Sequence, residues 1–378
     1  MFRSKFTLGL MFLLLGFFGA AAQPRISVTV AGGSGAGSYR KGAEVHIWAN
    51  PPGAGQVFDC WTGDAAELED ACEAHTKIAS LKRAVGLTAT YKAAPVWQRT
   101  RETVNGVDFG YYFPPGYKAV IFRFHGTGGG FVSFFSQTEE RLFADDAVAD
   151  GYAVVALESA DRVNKVWDFT NPPATNADIQ NVAAIVFGLR LRGLLQPGKP
   201  LFALGFSNGG TFASFIATEG NWRAAAVYCS TGLDSWMDTT NVPHIWNLAA
   251  NDTRFEAAGV RASSAQSRAL ARRGVAAGHN TNLSSPVYPE RFWRLDGLTE
   301  ADSAAIYNGL KNAGLLDADD YLIDSPRVNG WRQAIPPPYN QNDQLMRDIG
   351  NQLDNCWAEH QFYSDFNRRT IEFFNARL

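Results

Sequence analysis

The chain has 378 residues, enough for one large domain and a smaller one. With 46% hydrophobic and 19% charged residues and a net charge of −3, it has neither the basic excess of a nucleic-acid binder nor the acidic tail of a scaffold. No cysteine–histidine spacing typical of a zinc site occurs, so no metal ligand set is predicted.

At the N-terminus, Arg3 and Lys5 precede an apolar stretch from Leu8 to Phe18 and the small residues Gly19-Ala20-Ala21-Ala22. That order predicts a signal peptide over residues 1–22, removed after Ala22. The apolar run falls short of the ~20 residues a membrane-spanning helix needs. The expected mature protein is secreted or periplasmic and has no membrane span. Four cysteines in an oxidising compartment, two in each part of the chain, predict two disulfides. Of the pairings they allow, the expected one is Cys60–Cys72 and Cys229–Cys356, with buried free thiols as the alternative.

Residues 23–94 read as a small all-β domain. Ile26 to Val30, Glu44 to Ala49 and Val85 to Tyr91 alternate apolar and polar residues, as half-buried strands do. Gly/Ser-rich residues 32–39 and Pro51-Pro52-Gly53 punctuate them. The hairpin, the Pro-Pro-Gly turn, Phe58-Asp59-Cys60-Trp61-Thr62-Gly63-Asp64 and Leu87-Thr88-Ala89-Thr90-Tyr91 resemble the bacterial repeat domains of surface and secreted proteins. The resemblance implies a spacer, or a contact with a cell surface or polymer.

After the linker Lys92-Ala93-Ala94-Pro95 the pattern becomes α/β. Ala119 to Phe124, Tyr152 to Leu157, Leu201 to Phe206, Ala224 to Tyr228 and His244 to Leu248 are near-continuous apolar runs. Helical periods lie between and after them, at Thr138 to Asp150, Asn176 to Gly193, Gly210 to Thr218 and Asn367 to Ala376. Such runs predict a parallel sheet covered by helices on both faces.

Gly205-Phe206-Ser207-Asn208-Gly209 sits between one of these strands and the next helix. A G-x-S-x-G in that context predicts a sharp turn with Ser207 at its apex as nucleophile. A serine needs a base, and His360, just before the last helix, is the histidine in the required place. The apolar strand ending near Leu248 leads to Asp252, the predicted acid, with Asp234 as rival. His125-Gly126-Thr127-Gly128-Gly129-Gly130 follows the strand ending at Phe124 and resembles the HGGG-type loop of lipases and esterases. The expected oxyanion donors are the amides of Asn208 and of Gly126 or Thr127.

On these residues the part from 97 to 378 resembles the α/β-hydrolase superfamily, in particular secreted bacterial esterases and polyester depolymerases. The resemblance implies a serine carboxylester hydrolase working through an acyl-enzyme, with no cofactor and with an ester, polymeric esters among them, as substrate. A serine peptidase on the same fold and a non-catalytic surface-binding protein are the alternative readings. Two departures stand out. Glu359 occupies the position beside the histidine where that group usually has glycine. The gap between Asp252 and His360 is long, and predicts an inserted helical subdomain over about residues 256–345, with a helix capped by Thr299, either a lid beside the active site or a purely structural addition. Trp167, Trp293 and Trp331 are the candidates to line the substrate path.

Overall fold

A computed structural model describes residues 25–378; the predicted signal peptide lies outside them. Seven strands build the N-terminal module: β1 (Arg25–Ala31), β2 (Gly33–Ser34), β3 (Gly37–Arg40), β4 (Val45–Ala49), β5 (Gln56–Gly63), β6 (His75–Ile78) and β7 (Val85–Ala93). They form two sheets, ordered β3-β1-β7-β5 and β2-β4-β6. The alternation read from sequence sends Val28, Ile47, Trp61, Val85 and Leu87 into one small core. A disulfide joins Cys60 on β5 to Cys72, a cross-link suited to a core this small.

The larger sheet contains β8 (Thr100–Val104), β9 (Val107–Tyr112), β10 (Ala119–Phe124), β11 (Tyr152–Leu157), β12 (Leu201–Phe206), β13 (Ala224–Tyr228), β14 (His244–Ala249) and β15 (Ala277–Asn282). Their spatial order is β8-β9-β11-β10-β12-β13-β14-β15. β9 pairs antiparallel with both its neighbours, and every other pairing is parallel. β10, β11, β13 and β14 are buried along their whole length, because helices cover both faces. α2 (Thr138–Ala149), which follows the single turn α1 (Ser133–Ser136), packs on one face with the last helix, Asn367–Asn375. α3 (Ala177–Leu191) and α4 (Asn208–Thr218) pack on the other. There the short α5 (Asp234–Met237) and α6 (Glu256–Arg272) extend the layer, around Trp246 and Leu270.

The boundaries of the insertion differ from those expected. Residues 256–282 belong to the sheet layer, since α6 packs beneath β14 and β15 pairs with it in register from Ala277 to Asn282. The added subdomain is instead the apolar cluster running from Val287 to Cys356, which includes Phe292, Ile306, Trp331, Ile349 and Leu353. It is built on α7 (Glu290–Trp293), α8 (Glu300–Asn312) and α9 (Asp343–Trp357). Thr299 caps α8 as expected, in a reciprocal capping box with Asp302. The C-terminal helix on the sheet is α10 (Asn367–Asn375).

The N-terminal module is docked on this assembly. Trp48 of β4 is fully buried and stacks on His75 with ring centroids 3.9 Å apart. The guanidinium groups of Arg291 and Arg294 lie over the Trp48 ring at 4.9 and 5.5 Å. Arg291 in turn pairs with Asp365 at 2.9 Å. A cavity of about 700 Å³ lies along the same junction, lined by Phe58, Trp97, Asp146 and Trp293 among others.

Candidate active site

Ser207 stands between β12 and α4 with φ 55 and ψ −126, a conformation a non-glycine residue adopts only under constraint. The constraint comes from close backbone approach on either side of it. A Cβ on Gly205 would lie 1.9 Å from the carbonyl oxygen of Gly209, and one on Gly209 would lie 2.3 Å from those of Phe124 and His125. Only glycine fits both positions, so strand, turn and helix meet tightly and the serine is carried at the apex.

His360 follows α9. That helix ends at Ala358 in the left-handed region, and the reversal brings His360 back over the end of β12. Its Nε2 lies 2.9 Å from Oγ of Ser207, and its Nδ1 lies 2.7 Å from Oδ2 of Asp252. An ionised carboxylate can only accept, so Nδ1 carries the hydrogen and Nε2 presents its lone pair to the serine hydroxyl. Asp252, beyond the end of β14, is itself held by the amides of Arg254 and Phe255, which donate to Oδ1 at 2.9 and 2.8 Å. Asp252 is 4% exposed and His360 8%. The rival, Asp234, begins α5 and accepts from Gln266 at 2.8 Å, away from His360. Ser207, His360 and Asp252 are thus brought together from three separate segments at the carboxyl ends of the strands, where open α/β sheets place their sites.

The loop after β10 reaches the same point. A Cβ on Gly126 would lie 3.4 Å from Cβ of Ser207, so this backbone runs beside the serine. His125 is fully buried; its Nδ1 donates to the Gly126 carbonyl at 2.8 Å, and its Nε2 accepts from the Ser159 amide at 3.1 Å. Burial pushes its pKa down to about 3, so it stays neutral and shapes the loop. Thr127 is exposed at the loop's outer end, and Asn208 opens α4 directly after the serine.

The tryptophans depart from expectation. Trp167 is 2% exposed. Its Nε1 donates to the His125 carbonyl at 2.8 Å, its amide donates to Oδ1 of Asn208 at 2.7 Å, and its ring stacks on Phe212. It is packed as a brace between the glycine loop and the serine turn. Trp331 is buried in the core of the added subdomain. Trp293 faces the cavity at the junction with the N-terminal module, which none of Ser207, Asp252 and His360 lines.

The expected Cys229–Cys356 bridge is absent: both thiols are free and buried. Counting alone paired them, whereas the fold assigns Cys229 to the sheet core and Cys356 to that of the added subdomain. Cys229 has its own place at the site. Its Sγ, Asp252 and His360 are the one set of potential metal ligands within 4.8 Å of one another among the described residues. Burial raises the thiol well above its usual pKa, and its Sγ donates to the Gln361 carbonyl at 3.4 Å. A protonated thiol beside an already paired Asp–His is a poor metal ligand set.

Glu359, noted in the sequence as a departure beside the histidine, makes contacts at the site that the sequence did not predict. Glu359, fully buried, accepts at Oε1 from the amide and hydroxyl of Thr253 and from the amide of His360. Its position beside the histidine was the signal, but the contact with Thr253 spans 106 residues of chain.

Strand order, the strained serine and the histidine following the last inserted helix decide the architecture. The sheet domain has the α/β-hydrolase fold. Comparison with known families matches residues 24–95 to the model described as a divergent InlB B-repeat domain. Among curated proteins no sequence matches the chain. Solved structures similar to parts of it include an acylaminoacyl peptidase from Pyrococcus horikoshii, 14% identical with a TM-score of 0.38, where the match covers 53% of this chain but only 41% of the peptidase. A carboxylesterase from Mesorhizobium loti is 18% identical, with a TM-score of 0.37 and coverage of 51% and 94%. An acetyl xylan esterase from Aspergillus awamori is 14% identical, with a TM-score of 0.36 and coverage of 47% and 81%.

Proposed function

We propose that the chain is a serine hydrolase that cleaves carboxylic esters. The observation that carries this reading is the unbroken hydrogen-bond chain from Ser207 Oγ to His360 Nε2 and from His360 Nδ1 to Asp252, at 2.9 and 2.7 Å. With the tautomer set by Asp252, Nε2 takes the Ser207 proton as Oγ attacks the acyl carbon. Asp252 then stabilises the imidazolium. The developing oxyanion lies at the first turn of α4, where the amide of Asn208 and that of Gly126 or Thr127 are the proposed donors. His360 returns the proton to the departing alcohol, and a water activated by the same nitrogen releases the acid. The His125-Gly126-Thr127 loop, of the kind found in esterases and lipases, favours an ester over an amide.

The Cys60–Cys72 disulfide supports action outside the cytoplasm, and no helix among the described residues is long and apolar enough to cross a membrane. The B-repeat match supports a surface-contact role for residues 24–95.

A fluorophosphonate probe followed by peptide mass mapping tests the reading. Labelling on the peptide containing Ser207, abolished in Ser207→Ala, is the expected result. An inert Ser207, or labelling that persists in the variant, would contradict it.

A further inference from the structure

We propose that Glu359 is a positioning residue that clamps the acid-bearing loop to the base-bearing loop; the inference rests on reading Ser207, His360 and Asp252 as the catalytic residues. Asp252 and His360 come from segments far apart in sequence, and their pairing depends on how the loop after β14 lies against the loop after α9. Besides the Asp252–His360 bond itself, two direct links join these loops. One is a backbone bond from the Asn251 amide to the Ala358 carbonyl, 2.9 Å, supported by Asn251 Nδ2 donating to the Trp357 carbonyl at 2.7 Å. The other is Glu359.

Its single oxygen Oε1 accepts three hydrogen bonds: from the Thr253 amide at 2.7 Å, from the Thr253 hydroxyl at 3.0 Å and from the His360 amide at 2.8 Å. Thr253 directly follows the acid, and the His360 amide belongs to the base itself. One atom therefore grips the residue next to Asp252 and the backbone of His360 at once. Bonds to a carboxylate are shorter and stiffer than neutral ones, so a shift of either loop strains all three. The carboxylate is fully buried, with Arg327 the nearest cation, its Nε 3.5 Å from Oε2. Burying a carboxylate is unfavourable unless donors compensate it; here every hydrogen-bond donor comes from the two loops that hold the Asp–His pair. Arg327 also donates to the Thr253 hydroxyl at 3.1 Å and lies 3.7 Å from Asp354 on α9. Through it the added subdomain is tied to the same bracket.

The test is steady-state hydrolysis of p-nitrophenyl acetate by the full chain and its variants Glu359→Ala, Glu359→Gln, Thr253→Val and Ser207→Ala, with fluorophosphonate labelling rates in parallel. Glu359→Ala is expected to lower kcat and the labelling rate together by roughly 10²-fold, the scale of a small misplacement of reacting groups, with KM nearly unchanged. Glu359→Gln keeps an oxygen at the clamp and recovers most of that loss. Thr253→Val removes one donor while leaving Glu359 in place, and so reports on the clamp even if the alanine variant fails to fold; a several-fold fall in kcat is expected. Wild-type kcat in both Glu359→Ala and Thr253→Val, a loss confined to KM, or a glutamine variant as impaired as the alanine one would overturn the clamp. If Ser207→Ala is dead while these variants are unaffected, the clamp alone falls. If Ser207→Ala turns over like wild type, or wild type is inert to both probes, the catalytic reading falls and takes the clamp with it.

Discussion

At the scale of single residues, the site depends on buried side chains that brace its loops. Trp167 ties the His125 carbonyl to the side chain of Asn208 through its own indole and amide, so one buried ring sets the spacing between the glycine loop and the serine turn. Trp167→Ala is expected to cost about 3–5 kcal/mol of stability, as large-to-small changes in a packed core do, and to lower turnover without altering preference along a p-nitrophenyl ester series. A changed chain-length preference at normal stability, read from the ester series and a denaturant melt, would return Trp167 to the substrate path. Of the site, the Ser207, His360 and Asp252 positions were legible because each sits at a recognisable place: a glycine-flanked turn, the segment before the last helix, the end of an apolar strand. Trp167 and Glu359 were not. Their roles depend on which distant backbone groups they meet, and no local pattern encodes that.

At the scale of elements, burial decides what can be read. β10 to β14 are covered on both faces, and their continuous apolar runs announce them. β15 is an edge strand of mostly half-buried residues, Ala277 to Asn282, so its sequence carries neither an apolar run nor a clear alternation. That is why it and α6 were assigned to the insertion. β14 begins with a histidine, His244, whose Nδ1 donates to the Val242 carbonyl at 2.8 Å and whose Nε2 lies 3.1 Å from the Ser214 hydroxyl. Burial pushes its pKa down to about 4. The folded state therefore holds it neutral where the unfolded chain, near the ordinary value of about 6.5, takes up a proton. Its contribution to stability is intact above about pH 6.5 and is lost as the pH falls towards 4. A His244→Asn variant, less stable at neutral pH, should gain on wild type by about 3 kcal/mol between pH 6.5 and 4. A difference between the two that stays constant with pH, in urea melts at several pH values, would show that His244 is not held neutral.

At the scale of the whole molecule, two domains of different class are packed into one body. The N-terminal module was legible as a separate all-β unit, but not its docking, because Trp48, His75, Arg291 and Asp365 meet only once both domains are folded. The junction abuts the segment just beyond His360, through Asp365. Cysteine arithmetic was half informative: pairing by domain held where two cysteines lie close in a small module, and failed where two distinct cores intervene. Thiol titration under denaturing, non-reducing conditions should find two free thiols per chain, from Cys229 and Cys356; none or four would contradict the assignment.

The most direct test of the central claim is hydrolysis of p-nitrophenyl acetate by the purified protein and by Ser207→Ala. Ester turnover by the purified protein is expected, falling by roughly 10³–10⁶-fold in the variant. Turnover that survives the loss of the Ser207 hydroxyl would contradict it.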